Sequence, residues 1–299
     1  MTPPASDHAE IVVPASISNL GPGFDTLSVA VQLYTRVRVT DLRPGEADTI
    51  ETVFADGHFS GENRIETAFR HARAKVGLPT PGVRIEVRSD VPRRAGLGSS
   101  AAAAIAGLKL YESLTESRSD EDWLQLACEI EGHPDNAAAA MHGGIAASCQ
   151  LSDGRVTAQS WPWPEAISFV VATPDAPLDT AFARSVLPAD IPMRDAVFNL
   201  QRAVMLVRAL ETGRVADLRE AMRDRWHQPY RAPLVPALSE ALALEHEGLL
   251  GVCLSGAGPS ILALVNHHAQ EVSALLKGLY DRLGIGVTVR TLKAHQPRD

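Results

Sequence analysis

Long apolar runs are missing from this chain of 299 residues. None approaches the roughly 18–20 residues that a helix needs to cross a bilayer. The first nine residues carry Pro, Asp and Glu, with no basic start leading into an apolar stretch, so no leader is read there and the expected location is the cytoplasm. Cysteine is sparse: Cys128, Cys149 and Cys253 form no CxxC pair and no cluster with His. That excludes a disulfide scaffold, and all three read as small core residues. Aromatics make up only 5% of the chain against 45% hydrophobic residues in all, so the core is expected to be aliphatic. Basic charge is outweighed, with 28 Lys and Arg against 36 Asp and Glu and a net charge of −8. A surface of that sign repels nucleic acid and anionic lipid, so neither is an expected partner.

What is present fits two domains, at roughly 100–200 residues each. Strands are expected at 10–13, 34–40 and 83–87, the last from Val83, Ile85 and Val87 alternating with charged residues. Ile65, Ala68, Phe69, Ala72 and Val76 share one helical face, closed by Gly77. Helices are expected over about 100–114, 120–131 and 133–141. Trp161-Pro-Trp-Pro164 is the boundary, because two prolines in four residues suit neither a helix nor a central strand. Domains are therefore drawn at 1–160 and 161–299. The second half reads as strands at 167–172, 250–254, 260–265 and 287–292, with helices at 194–211, 214–226, 234–247 and 268–283. The class is α+β, with helices over an antiparallel sheet.

Three glycine loops stand next to strand ends. Pro92-Arg93-Arg94-Ala95-Gly96-Leu97-Gly98-Ser99-Ser100-Ala101 follows a strand and opens a helix. Its glycines let backbone amides approach a ligand, and a helix start offers unpaired N–H groups and a positive dipole end. Ser99 and Ser100 add hydroxyls. It has no Gly-Lys-Ser/Thr and no Gly-x-Gly-x-x-Gly. Spacing alone serves a phosphate cradle or the plain start of an alanine-rich helix equally well. Ser18-Asn19-Leu-Gly21-Pro-Gly23-Phe-Asp25 by itself favours a turn made by Asx-type bonds. Ser255-Gly-Ala-Gly258-Pro259-Ser260 by itself could be a hairpin turn.

Together, and in this order, the three loops resemble the signature motifs of the GHMP kinases, and the resemblance spans nearly the whole chain. Further strings are similar to the branch that phosphorylates homoserine: Asn-Leu-Gly-Pro-Gly-Phe-Asp at 19–25, Glu-Gly-His-Pro-Asp-Asn at 131–136, Ala-Arg-x-x-Leu-Pro at 183–188 and His-Gln-Pro-Tyr-Arg at 227–231. The resemblance implies a ribosomal-S5-like N-terminal domain, a ferredoxin-like C-terminal domain and a site between them. It implies ATP on Pro92–Ala101 and Mg²⁺ on Ser100 and Glu131. Asn19, Asp25, Asn136, Arg184, Arg231 and Gly258 would bind a small substrate, L-homoserine; the alternatives are a kinase of the same family acting on a mevalonate-like alcohol, or a non-catalytic nucleotide or metabolite sensor on the same fold. Asp25 suits an ammonium, and the two arginines suit a carboxylate; without the motif, each arginine would read as a surface ion pair. Asn136 takes the place where some branches carry an Asp, so direct transfer without a protein base is expected, with Asn136, Glu131 and Ser100 as the catalytic set. His133 and Asp135 lie nearby in sequence, and Asp135 could simply start a helix. Three departures stand out: Ser28 where Gly is frequent, Ala139 where Pro is frequent, and Ile17-Ser18 for a smaller pair. Ser28 is expected to bear on the turn after Asp25. The residues do not fix an oligomeric state, and a homodimer is among the arrangements they allow.

Overall fold

The computed structural model describes residues 10–57, 61–115 and 120–297. Its first sheet contains β1 (Ile11–Ser18), β2 (Leu27–Arg43), β3 (Ile50–Phe54), β4 (Gly82–Ser89), β5 (Ile145–Gln150) and β6 (Val156–Trp161), in the order β3-β4-β2-β5-β6 with β1 paired to β2. β2 is long enough to serve several partners. Its first residues pair with β5, its second half with β4, and β1 runs along its middle. Only β3 and β4 run parallel. Pro14 is tolerated because β1 pairs only with β2 and the register slips beside it, between Pro14 and Ala15.

Four helices pack on this sheet: α1 (Arg64–Val76), α2 (Ser99–Thr115), α3 (Asp120–Glu131) and α4 (Asp135–His142). The Asn63 side chain caps α1 by accepting from Ile65 N, and Gly77 ends it at φ 83°. Ile65, Ala68, Phe69 and Ala72 form the buried face that the periodicity predicts. α2 is buried nearly all round, which its small residues permit. Gly107 lets α1 cross it closely, since a Cβ there would sit 2.2 Å from Ile65 O.

The second sheet holds β7 (Ser168–Pro174), β8 (Leu249–Leu254), β9 (Ile261–Val265) and β10 (Val287–Leu292), all antiparallel, in the order β10-β7-β9-β8. Numbered by occurrence this is 4-1-3-2, the ferredoxin-like order, and α10 (Ala269–Leu283) lies between the third and fourth of these strands in the chain. The other helices are α5 (Thr180–Ser185), α6 (Met193–Thr212), α7 (Leu218–Ala221), α8 (Gln228–Arg231) and α9 (Leu238–Leu242).

The structure departs from the sequence expectations at several points. β3, β5, β6, α5 and α8 are additional. The helix expected at 214–226 is a 3-10 turn and the four-residue α7, because the Asp224 carboxylate takes the N–H groups of Trp226, His227 and Gln228. The helix expected at 234–247 shrinks to α9 behind Ala237, which has φ 64°. Cys149 is exposed, unlike Cys128 and Cys253, because it sits at the outer end of β5. Trp163 is buried and donates from Nε1 to Ile167 O, so the proline-rich segment packs into the core.

One apolar cluster joins the sheets, bringing Ala15, Ile17 and Val29 onto Phe169, Leu264 and Leu292. Beyond β10 the chain returns to the first sheet. Gln32 N donates to Lys293 O, His295 N to Ala30 O, and Gly144 N to His295 O, at 3.0, 2.9 and 2.7 Å. Among the described residues, no helix is long and apolar enough to cross a membrane.

Candidate functional site

The three glycine loops meet around one cavity of about 540 Å³. Ser255 Oγ donates to Gly96 O (2.6 Å), Gly256 N to Ser18 O (3.1 Å) and Asn19 Nδ2 to Gly256 O (3.0 Å). Glycine is required by close approach at two points. A Cβ on Gly96 would sit 2.2 Å from Ser255 O, and one on Gly98 would sit 2.2 Å from Ser16 Oγ; both residues have positive φ. The N-terminus of α2 opens on the same wall, so its first N–H groups and its dipole face the cavity. This is a fitting cradle for polyphosphate.

Beside it, Ser100 Oγ donates to Glu131 Oε1 at 2.7 Å, and Arg64 Nε lies 4.0 Å from the same oxygen. Burial lifts the Glu131 carboxyl above its usual range, partly offset by Ser100 and Arg64. No cluster of three or more His, Cys, Asp or Glu suited to a metal occurs among the described residues. Mg²⁺ typically takes one or two protein oxygens and completes its shell with phosphates and water. A hydroxyl and a carboxylate next to an anion cradle fit that donor set.

The other end of the cavity is ionic. Arg184, on α5, forks onto Asp25 with two bonds of 2.8 Å. Arg231, on α8, is buried. Its Nε donates to Ala183 O and its Nη1 to Gly256 O. Burial, helped by the Arg184 charge, pulls its guanidinium down to about 10. The buried His227 ring orients it: Nε2–H donates to Gly21 O, leaving Nδ1 to accept from Arg231. Burial lowers the His227 value and keeps that ring neutral. Phe24 lies under both guanidinium groups at 5.4 Å.

Asn136 sits between the two ends. Its Oδ1 accepts from Ser16 Oγ (2.8 Å) and its Nδ2 donates to Ser18 Oγ (3.0 Å). His133 Nδ1–H donates to the buried Asp135 carboxylate at 3.1 Å, and that bond raises the imidazole above its ordinary value. Asp135 begins α4 and also accepts from Asn136 N.

Of the residues singled out in the sequence, Asn19, Asp25, Arg94–Ala101, Glu131, Asn136, Arg184 and Arg231 line the cavity. Pro92, Arg93 and Gly258 do not. Gly258 backs Gly96, whose Cβ would meet Gly258 O at 2.8 Å. Arg93 lines a second cavity of about 480 Å³, which shares Arg64, Arg94, Ser99 and Ser100 with the first. Ser28 does not reshape the turn after Asp25: it lies within β2 and donates to Asp135 O. The second cavity, the Ser16 and Ser18 clamps on Asn136, and the Asp224–His227 support were not read from sequence. His227 was within reach, as the first residue of a recognised string.

Residues 63–144 match the GHMP kinases N terminal domain, and residues 206–281 match the GHMP kinases C terminal domain. A homoserine kinase of Thermus thermophilus is 39% identical over 277 residues, with 91% of each chain covered. One from Deinococcus radiodurans is 42% identical over 270 residues, covering 87% of this chain and 88% of that one. The crystal structure of homoserine kinase from Cytophaga hutchinsonii superposes with a TM-score of 0.85 at 26% identity, covering 99% of this chain and 98% of that one. The mevalonate kinase of Methanococcus jannaschii shares the fold, with a TM-score of 0.70 at 18% identity over 98% of this chain and 99% of that one. The chain thus belongs to the GHMP kinase family, on its homoserine kinase branch.

Proposed function

We propose that the chain transfers the γ-phosphoryl group of ATP to the side-chain hydroxyl of L-homoserine, giving O-phospho-L-homoserine for threonine biosynthesis. One observation carries this reading. A single cavity has a glycine and helix-start cradle at one end and, at the other, a carboxylate beside two guanidinium groups. Residues 1–160 would supply the nucleotide half, and 161–299 would complete the substrate half with Arg184 and Arg231.

Pro92–Ala101 would hold the triphosphate, with Pro92, Arg93 and Gly258 supporting from behind or beside it. The adjoining cavity, walled by Phe54, Ile65, Val87 and Val91, would take the nucleoside. Ser100 and Glu131 would hold Mg²⁺, which supplies charge neutralisation to the phosphates when bound. Asp25 would take the substrate ammonium, and Arg184 and Arg231 its carboxylate, with Asn19 shaping the loop by accepting from Asp25 N. Asn136 would orient the attacking hydroxyl. An amide cannot take a proton, and both ends of this one are engaged by serines. Positioning and preorganised charge would therefore supply the rate without a dedicated base.

The direct test is ATP turnover with L-homoserine, L-serine, L-threonine and mevalonate in parallel. L-homoserine should exceed mevalonate in kcat/KM by about 10³ or more, since mevalonate brings no ammonium to replace Arg184 at Asp25 when its own carboxylate draws that guanidinium away. Equal use of mevalonate would overturn the substrate, and no turnover with any of the four would overturn the kinase reading. The no-base mechanism is tested with His133→Ala and Asp135→Ala. Loss of turnover in either, with both ligands still bound, would sink it.

A further inference from the structure

Ile17-Ser18, one of the departures from the family pattern, sends its two side chains to different places. Successive side chains of β1 point to opposite faces. Ile17 is buried in the apolar cluster that joins the sheets. Ser16 and Ser18 share the other face and meet α4 at Asn136. Of these three residues only Ser18 lines the cavity. The hydrogen bonds around Asn136 leave its amide no spare hydrogen. Oδ1 accepts from Ser16 Oγ at 2.8 Å, while Nδ2 has two hydrogens to give. One goes to Ser18 Oγ at 3.0 Å, and the other is directed to Asp135 Oδ1 at 3.5 Å. That carboxylate fixes which way round the amide stands, because an amide oxygen in the same place would be repelled. Gly98 closes over the other end of the amide, where a Cβ would sit 2.9 Å from Oδ1.

Ser18 is in the opposite condition. Its Oγ accepts from Asn136 Nδ2, and among the described residues no protein atom accepts its own proton. A hydroxyl has one proton and two acceptor sites, so Ser18 keeps one of each for the cavity. Its backbone is held as well, since Ser18 O accepts from Gly256 N at 3.1 Å. It also stands between the two ends of the cavity. On one side is the contact of Gly98 with Asn136. On the other is Asn19, whose Oδ1 accepts from Asp25 N at 3.0 Å. We infer that Ser18 Oγ is the atom that meets the acceptor hydroxyl: it accepts a hydrogen bond from that hydroxyl and leaves an oxygen lone pair facing the phosphate cradle. Asn136 then acts through Ser18, holding it from behind, and Asp135 holds the amide in turn. Ser18 takes no net proton, in keeping with transfer that uses no dedicated base. The inference rests on the kinase reading of the cavity and adds to it the group that touches the alcohol. It also gives the Ile17-Ser18 departure a use, since alanine at 18 would offer the cavity no oxygen.

The test pairs Ser18→Ala with a ligand that lacks the hydroxyl. L-2-aminobutyrate is homoserine without that group, and calorimetric titration of the full chain with each amino acid reads the contact directly. Ser18→Ala should weaken L-homoserine binding by about fivefold. It should leave L-2-aminobutyrate binding within about twofold of the native chain, because that ligand never made the contact. In turnover, kcat should fall by about tenfold or more, with KM for ATP unchanged. Equal weakening of both ligands would overturn the inference and make Ser18 a support of the loop alone. Native binding of both ligands with native kcat would overturn it too. Failure of the substrate reading shows separately, in the native chain, as mevalonate bound and both amino acids refused. Mevalonate and its deoxy analogue then take their places in the same comparison, with the same outcomes.

Discussion

At the Ala95–Ala101 end of the cavity, the contacts are made by main chain and small residues. At the Asp25, Arg184 and Arg231 end, charged side chains dominate the wall. Gly96 touches Ser255 and Gly258 so closely that no side chain fits. Asp25 and Arg184, in contrast, satisfy one another and remain partly open to water. Main chain cannot be re-aimed, so the first end tolerates no change of shape. Ion pairs can be exchanged, so the second end can release Arg184 from Asp25 and give each a new partner. On the proposed reading, the rigid cradle would be indifferent to what accepts the phosphate, and discrimination between acceptors would fall to the charged end.

Four substitutions sharpen or break this contrast. The largest effect should come from Gly96→Ala, which forces a methyl group into Ser255 O and strains a φ of +73°. A displacement of about 1 Å there should cut kcat/KM by about 10² or more and lower Tm. Native-like kinetics would show that the cradle yields. Glu131→Gln should lower kcat by about 10² yet raise Tm at neutral pH. The sign follows from its raised value. Folding favours the protonated carboxyl, so that stabilising contribution is complete below the ordinary 4.5 and is lost as pH rises through the higher native value. The amide removes the buried charge. The acid limb of the kcat profile, which in the native enzyme should lie above the ordinary Glu value, should vanish as well.

Arg231→Lys should raise KM for homoserine by about tenfold or more and leave KM for ATP unchanged, because an ammonium cannot reproduce the fork that Ala183 O and Gly256 O aim. A parallel rise for ATP would mean that the two ends are one unit. Asp25→Asn should have the smallest effect on stability, within about 1 kcal/mol, since a half-exposed ion pair contributes little. Its KM for homoserine should still rise several-fold.

The same contrast governs what could be read from sequence. The tight loop was legible because steric necessity writes itself as Gly96 and Gly98 in one short string, although only the resemblance favoured a phosphate cradle over a plain helix start. The helix with Ile65, Ala68, Phe69 and Ala72 on one face, and the strands with alternating Val83, Ile85 and Val87, were legible through periodicity. Asp25, Arg184 and Arg231 could be grouped only through the resemblance, since 159 residues separate the first two. The clamps on Asn136 come from Ser16 and Ser18, which are ordinary β-strand residues until the fold brings α4 against β1. The break in the helix after Ala221 was hidden because apolar spacing continues through it, while one carboxylate, Asp224, redirects the backbone.

The return of residues 293–297 to the first sheet bears on how the molecule is made. Ala30 and Gly144 belong to the earlier half of the chain, yet the groups that satisfy them lie at Ala294–His295. While the ribosome is still at work on β10, those partners have not emerged, and Trp163 lacks the Gln296 amide that brackets it. The first sheet is therefore completed only once the segment after β10 has been made, and cutting the chain at the proline-rich junction would take those partners from the first piece.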